Sequence, residues 1–231
     1  MEPPLASLSL THVHYNPNDS ISYLSAWLAL VPQALCVVYV TLIWATREVE
    51  VLLMFAGQMG CEALNFILKR IIQEERPPQM YGKGYGMPSS HSQFVAFFSF
   101  TFTLFLLFRH TPRPSPTHRN MTYPERIAIS VLACFCAGAV AVSRVYLNYH
   151  TPKQVLAGSI VGTLVAGFWF LFTHLLRQTG WIEWGLDTQL ARLIRVRDLV
   201  LEEDFVESGW QRFESKRTSR RSRKVASVKS N

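Results

Sequence analysis

Residues 23–46 run for 24 positions without a charged side chain, and four further stretches come close to the same state. A helix needs about 20 mostly apolar residues to cross a bilayer. Inside the bilayer every backbone N–H and C=O must be satisfied within protein, so runs of this length are read as spanning helices. Residues 51–68 are apolar apart from Glu62 and Asn65. Residues 92–108 are uncharged and rich in Phe, and they lead to Arg109 and His110. Residues 127–142 are small and apolar, extended beyond Arg144 by Val145, Tyr146 and Leu147. Residues 155–176 form the cleanest span, in which Gly158, Gly162 and Gly167 allow close helix contacts and are read as packing. Pro32 predicts a kink in the first span.

Composition agrees. The chain is 49% hydrophobic and only 17% charged, against about 25% in an average soluble domain. The net charge of +7 invites a nucleic-acid reading, but Lys and Arg form no stripe interleaved with aromatics, so none is expected. Cys36, Cys61, Cys134 and Cys136 all sit in apolar runs, where they act as small hydrophobes rather than disulfides or zinc ligands. No Lys or Arg precedes Arg47, so the first run is expected to be retained rather than cleaved as a leader.

The chain is therefore expected to be all-α, a polytopic transmembrane bundle of about five spans plus an interfacial amphipathic helix. Residues 1–22 form an N-terminal segment and residues 23–178 the membrane core. In residues 181–201, Ile182, Leu186, Leu190, Leu193, Ile194 and Val200 recur near the helical period among Arg192, Arg195 and Arg197. That pattern predicts one helix lying at the membrane interface. Residues 212–231 are basic, Ser-rich and short of anything to bury, which predicts a disordered tail. Of the 23 Lys and Arg, 17 fall on the side of the first loop, third loop and C-terminus, and six on the other. The positive-inside rule puts the N-terminus outside and the tail in the cytosol.

The six outlying cations need a cause, and the residues around them supply one. The second span ends in Lys69-Arg-Ile-Ile-Gln-Glu-Glu-Arg76-Pro77, and the third opens on Pro88-Ser89-Ser90-His91. Between the fourth and fifth stands Ser143-Arg144-Val-Tyr-Leu-Asn-Tyr-His150, with Gln154 four residues on. All three segments fall on one membrane face. Arg offers oxyanions a planar fork of donors and Lys a compact charge, while Ser89 and Ser90 lead into a helix N-terminus suited to anions. Two imidazoles beside a phosphoryl group divide the work, one attacking phosphorus and one protonating the leaving oxygen. Glu62, Asn65 and Lys69 share one helical stripe, so Glu62 either helps to hold Lys69 or pairs within the bundle. His174, Lys83, Lys153 and Arg70 are read as ordinary interfacial residues.

Lys-x6-Arg-Pro, then Pro-Ser-x-His, then Ser-Arg-x5-His resembles the three-part signature of the type 2 phosphatidic acid phosphatase superfamily. Within it, Tyr85-Gly-Met-Pro-Ser-Ser-His-Ser-Gln-Phe94 and the His150 segment are similar to the dolichyldiphosphatase family. The resemblance runs from about Thr11 to Arg197. It implies a hydrolase of the endoplasmic reticulum membrane with its site facing the lumen, releasing inorganic phosphate from dolichyl diphosphate and recycling the carrier lipid for N-glycosylation. By position it makes His150 the nucleophile, forming a phosphohistidine, and His91 the acid. It makes Lys69, Arg76, Arg144, Ser89 and the Ser90 backbone the phosphate ligands, with Gln154 and Glu62 in support. It implies neither cofactor nor metal; the polyprenyl substrate and membrane lipids are the partners, and no signal of oligomeric state is present.

Two positions and the number of spans depart from the family pattern. Ser90 stands where Gly precedes the His, Gln154 stands where Asp is usual, and five spans are legible where six are typical. Two alternatives stay open at this point. One is a phosphatase of another lipid, such as phosphatidate or a sphingoid phosphate. The other is a non-catalytic binder or transporter of anionic lipids.

Overall fold

In the computed structural model, which describes residues 6–8, 13–78, 84–112 and 121–229, every apolar run forms a helix. A short antiparallel pair precedes them, β1 (Ala6–Leu8) against β2 (Val13–Tyr15). This pair was not expected of an all-α chain. The first span is two helices, α1 (Ser20–Leu28) and α2 (Val31–Thr46), capped at the start by the Asp19 carboxylate, which accepts from Ile21 N–H. The kink expected at Pro32 is a break at Ala29 and Leu30, because Pro32 occupies the first turn of α2 and brings no N–H.

Four spans follow: α3 (Val49–Ile72), α4 (Ser90–Leu104, prolonged by a π turn over Phe105–Arg109), α5 (Tyr123–Tyr146) and α6 (Pro152–Gln178). All five spans are long and apolar enough to cross a membrane. Capping boxes start the last two, Thr122 with Glu125 and Thr151 with Gln154. The central element is α4, half of whose span is buried against 17–28% in the others. Phe97, Cys61 and Ala166 form its core with α3 and α6, and Phe94, Val95 and Val140 form a second core with α5.

Gly158 and Gly162 set how close α6 comes to α4. A Cβ on Gly158 would lie 2.5 Å from the Ser89 carbonyl oxygen, and one on Gly162 would strike the Gln93 carbonyl. Gly167 has only ordinary clearance, 3.8 Å from Phe100.

Two expectations are corrected beyond α6. The single helix over 181–201 is α7 (Trp181–Asp187) and α8 (Gln189–Ile194). Thr188 separates them because its hydroxyl caps α8, and Arg195 ends α8 in the left-handed region at φ 58°. Arg197 then pairs with the Arg47–Val49 backbone. The tail, expected to be disordered, is helical as α9 (Phe205–Lys229). Asp204 caps it by accepting from the Val206 and Glu207 amides, and Gln211–Glu207 and Arg217–Glu214 pairs line its turns. Lys83 and Asn120, the first residue of an Asn-Met-Thr glycosylation acceptor, lie outside the described residues.

Candidate active site

The site forms where the α3 end, the α4 start and the α5–α6 turn converge. Asn65, one turn before Lys69, donates from Nδ2 to Gln93 Oε1 at 2.7 Å, and Gln93 Nε2 donates to the Cys61 carbonyl at 2.8 Å. This buried clamp fixes α3 against α4. It brings Lys69 Nζ to 3.4 Å from Ser90 Oγ. The Ser89 amide is committed to the Gln154 carbonyl at 3.1 Å, and Ser89 Oγ accepts from Ser92. The anion-binding N–H groups at this point are therefore those of Ser90 and its successors in the first turn of α4, which have no intrahelical partner.

Helix α5 ends in a turn through Asn148, whose φ of 57° an Asn tolerates. The turn folds Tyr149 and His150 back so that both amides donate to the Arg144 carbonyl, at 3.0 and 3.2 Å. Arg144 is only 3% exposed and stacks 4.4 Å over the Tyr149 ring. Its Nε and Nη1 are buried without a hydrogen-bond partner among the described residues. A buried guanidinium with idle donors is ready for an oxyanion.

His150 is likewise 3% exposed. Burial, then the positive charges of Arg76 and Arg144, push its imidazole down to about 3, against a smaller opposing effect of the Gln154 hydrogen bond. His150 is thus neutral across physiological pH. Its Nδ1 lies 3.2 Å from Gln154 Oε1.

The orientation of Gln154 decides the tautomer. Its Oε1 accepts the Thr151 backbone N–H at 3.2 Å, and its Nε2 donates to the Glu75 carbonyl at 2.8 Å and Glu74 Oε1 at 3.1 Å. A backbone N–H only donates and a carbonyl only accepts, so the amide cannot be flipped. The nitrogen facing Oε1 must then carry the proton. His150 holds its hydrogen on Nδ1 and keeps the lone pair of Nε2 free.

His91 is fixed from another direction. Its Nε2 is 3.1 Å from the Ala29 carbonyl, which the break between α1 and α2 releases from helical bonding. Arg76 adds charge beside His150, and its own pKa is lowered by burial. His91, His150, Lys69, Ser89, Ser90, Arg144 and Gln154 thus meet at one end of the bundle. Glu62 makes no direct contact with Lys69 among the described residues, and its Oε1 is buried there without a hydrogen-bond partner. It lines a cavity of about 300 Å³ with Pro32, Gln33, Cys36, Ser90 and His91. No group of three His, Cys, Asp or Glu suited to a metal ion occurs among the described residues.

Sequence reading missed Glu74 and Lys153 here. Lys153, taken as an ordinary interfacial residue, bonds Glu74 Oε2 at 2.8 Å. The capping box Thr151-x-x-Gln154 was the available signal that Gln154 reaches back toward His150.

The PAP2 superfamily matches residues 47–178, which include His91, His150, Gln154 and the cations Lys69, Arg76 and Arg144. The chain belongs to that superfamily. A Neurospora crassa protein named as a candidate dolichyldiphosphatase is 49% identical, covering 94% of this chain and 95% of its own. The Saccharomyces cerevisiae dolichyldiphosphatase is 32% identical over 87% of each. Human dolichyldiphosphatase 1 is 41% identical over 72% of this chain and 71% of its own. Among solved structures, the crystal structure of the Bacillus subtilis transmembrane PAP2-type phosphatidylglycerolphosphate phosphatase has the same fold. Its TM-score is 0.55 at 22% identity, covering 67% of this chain and 77% of that one. This PAP2 chain carries its superfamily signature on the α3, α4 and α5–α6 boundaries.

Proposed function

We propose that this protein is an integral membrane dolichyldiphosphatase that hydrolyses dolichyl diphosphate to dolichyl phosphate and inorganic phosphate. The observation that carries the reading is His150, neutral, with Nδ1 fixed against Gln154 and three cations around it. Relatives bearing the dolichyldiphosphatase name along most of the chain support the choice of lipid over phosphatidate or a sphingoid phosphate.

The steps follow from the placement. The lone pair of His150 Nε2 attacks the terminal phosphorus, and the bond from that phosphorus to the bridging oxygen breaks. Dolichyl phosphate leaves with a phosphohistidine behind it. Lys69, Arg76, Arg144 and the first amides of α4 hold the charge that spreads over the phosphoryl oxygens. His91 enters this step as the imidazolium, with Nε2–H held by the Ala29 carbonyl, and gives its Nδ1 proton to the departing oxygen, which leaves it neutral. Water then attacks the phosphohistidine, His91 takes the water proton, and inorganic phosphate departs. The cation distribution supports an endoplasmic reticulum orientation with this site in the lumen and the C-terminus in the cytosol.

Rapid-quench labelling of the purified protein with terminally radiolabelled dolichyl diphosphate tests the assignment. His150→Ala should abolish turnover and acid-labile phosphoprotein together. His91→Ala should slow the diphosphate less than a lipid monoester, because a phosphate leaving group needs less protonation than an alkoxide. Acid-labile label persisting in His150→Ala overturns the nucleophile, and binding without turnover in the wild type favours the transporter alternative.

A further inference from the structure

Gln154 has only part of what an Asp would bring to His150. An amide oxygen fixes the tautomer but carries no charge to steady the imidazole as its Nε2 bonds to phosphorus. The charge is present one bond further away. Glu74 Oε1 accepts from Gln154 Nε2 at 3.1 Å, and Lys153 Nζ holds the other carboxylate oxygen at 2.8 Å. We infer that Glu74 is a positioning residue for the proposed phosphoryl transfer, acting on His150 through the Gln154 amide.

Three features support this. All four hydrogen-bonding positions of the Gln154 amide are filled, two on oxygen by His150 and Thr151 and two on nitrogen by Glu74 and Glu75. A carboxylate on the N–H side polarises the amide and makes its oxygen a better acceptor for His150 Nδ1–H. The loop is also shaped to reach this point. Gly86 donates its N–H to the Glu74 carbonyl at 2.7 Å, and a Cβ at Gly86 would lie 2.7 Å from the Gln154 amide atoms. Hydrogen bonds from Lys153 and Gln154 hold the Glu74 carboxyl below the usual range, so it is ionised at neutral pH. Glu74 is the acidic side chain bonded to Gln154; the charged groups acting on His150 directly are the cations Arg76, Arg144 and Lys69.

This inference rests on the proposed nucleophile, and the test separates the two. In the full-length protein in detergent, Glu74→Gln keeps the size and removes the charge. It should lower kcat about tenfold with KM unchanged, as losses of outer-shell partners do. In a Gln154→Asp background the sign should reverse. Two carboxylates would then face each other, and Glu74→Gln should raise kcat. A merely structural Glu74 would cost the same in both backgrounds, and a substrate-binding Glu74 would change KM; either result overturns the inference. Nitrogen chemical shifts of the His150 ring give a readout that needs no turnover. They should show the Nδ1–H tautomer in the wild type and a weakened Nδ1 hydrogen bond in Glu74→Gln. Unchanged shifts in Glu74→Gln overturn the inference even if His150 proves to be the nucleophile. Shifts that move in a protein with no phosphatase activity support Glu74 and refute the activity.

Discussion

His150 is controlled by an atom that serves two purposes. Gln154 Oε1 closes the capping box of α6 on the Thr151 amide and faces His150 Nδ1 at the same time. Losing the wrong-tautomer safeguard costs about 10⁴ in rate where it has been examined in a serine protease triad. Gln154→Ala should therefore lose most activity, although Thr151 can still cap α6 through its own hydroxyl. Gln154→Asp should keep measurable activity and alter its pH dependence. Burial and the cations Arg76 and Arg144 hold His150 down at about 3, so it stays unprotonated well into acid, as the proposed nucleophile must. A carboxylate beside it stabilises the imidazolium and raises that pKa, and protonation then removes the nucleophile at a higher pH. The acidic limb of kcat/KM should move upward in Gln154→Asp, compared with wild type on one substrate so that the ionisation of the lipid phosphate cancels. Wild-type activity in Gln154→Ala would mean that something else orients His150. The spacing from His150 to Gln154 was visible in the sequence. The Glu74 contact was not, because it depends on how residues 73–78 and 84–89 fold over the start of α6.

The elements succeed or fail as placements of these atoms, and the tightest placement is α6 against the start of α4. Gly158 lies where any Cβ would press on the Ser89 carbonyl at 2.5 Å, and backbone cannot yield as a side-chain tip can. Gly158→Ala should shift Ser89 and the first turn of α4, lowering kcat/KM by tenfold or more, a loss assayed on folded protein. A misplacement of about 1 Å costs on the order of 10² in rate. Gly167→Ala serves as the control. Only Phe100 stands near, at 3.8 Å, and Ala is favoured over Gly in a helix interior by about 0.5–1 kcal/mol. Its activity should be unchanged and its melting temperature equal or higher; equal damage from both substitutions would place the constraint in helix flexibility instead. Sequence patterning made the spans legible because a bilayer leaves a long apolar run few choices. The sequence reading grouped Gly158 and Gly167 together as packing, although nine residues put Gly167 about half a turn round α6 from Gly158, off the buried stripe of Gly158, Gly162 and Ala166. Residues 181–201 had the helical period, but Thr188 offers its hydroxyl to a new helix start. The helical tail was missed because composition outweighed the Asp204 cap.

At the scale of the whole molecule, the chain is pinned at both ends. The site closes one end, and an ion cluster closes the other. Glu50 is 2% exposed and bonds Arg109 at 2.7 Å and Arg177 at 2.6 Å. Arg177 continues to Asp198, and the buried Glu48 carboxylate takes Arg197 at 2.7 Å and the amides of Leu199 and Val200. Along α3, Glu50 lies about 28 Å from Lys69 at 1.5 Å per residue. Glu50→Gln leaves the buried Arg109 guanidinium without its counter-charge and Arg177 with Asp198 alone, a change of the kind that costs about 3–5 kcal/mol. It should lower the melting temperature in detergent while kcat at low temperature stays near wild type, since no site atom is touched; a selective loss of kcat would instead couple the two ends. The same separation makes the orientation testable with one mark. If the site faces the lumen, the loop between α4 and α5 is cytosolic, and Asn120 in its Asn-Met-Thr acceptor should never carry a glycan. Asn18 is exposed but only two residues ahead of α1, so an acceptor placed on an N-terminal extension is the better positive reporter. Expressed in microsomes, the extended protein should gain one endoglycosidase-sensitive glycan on the extension. A glycan on native Asn120 would turn the bundle over, put His150 in the cytosol, and require its diphosphate substrate to be presented from that leaflet.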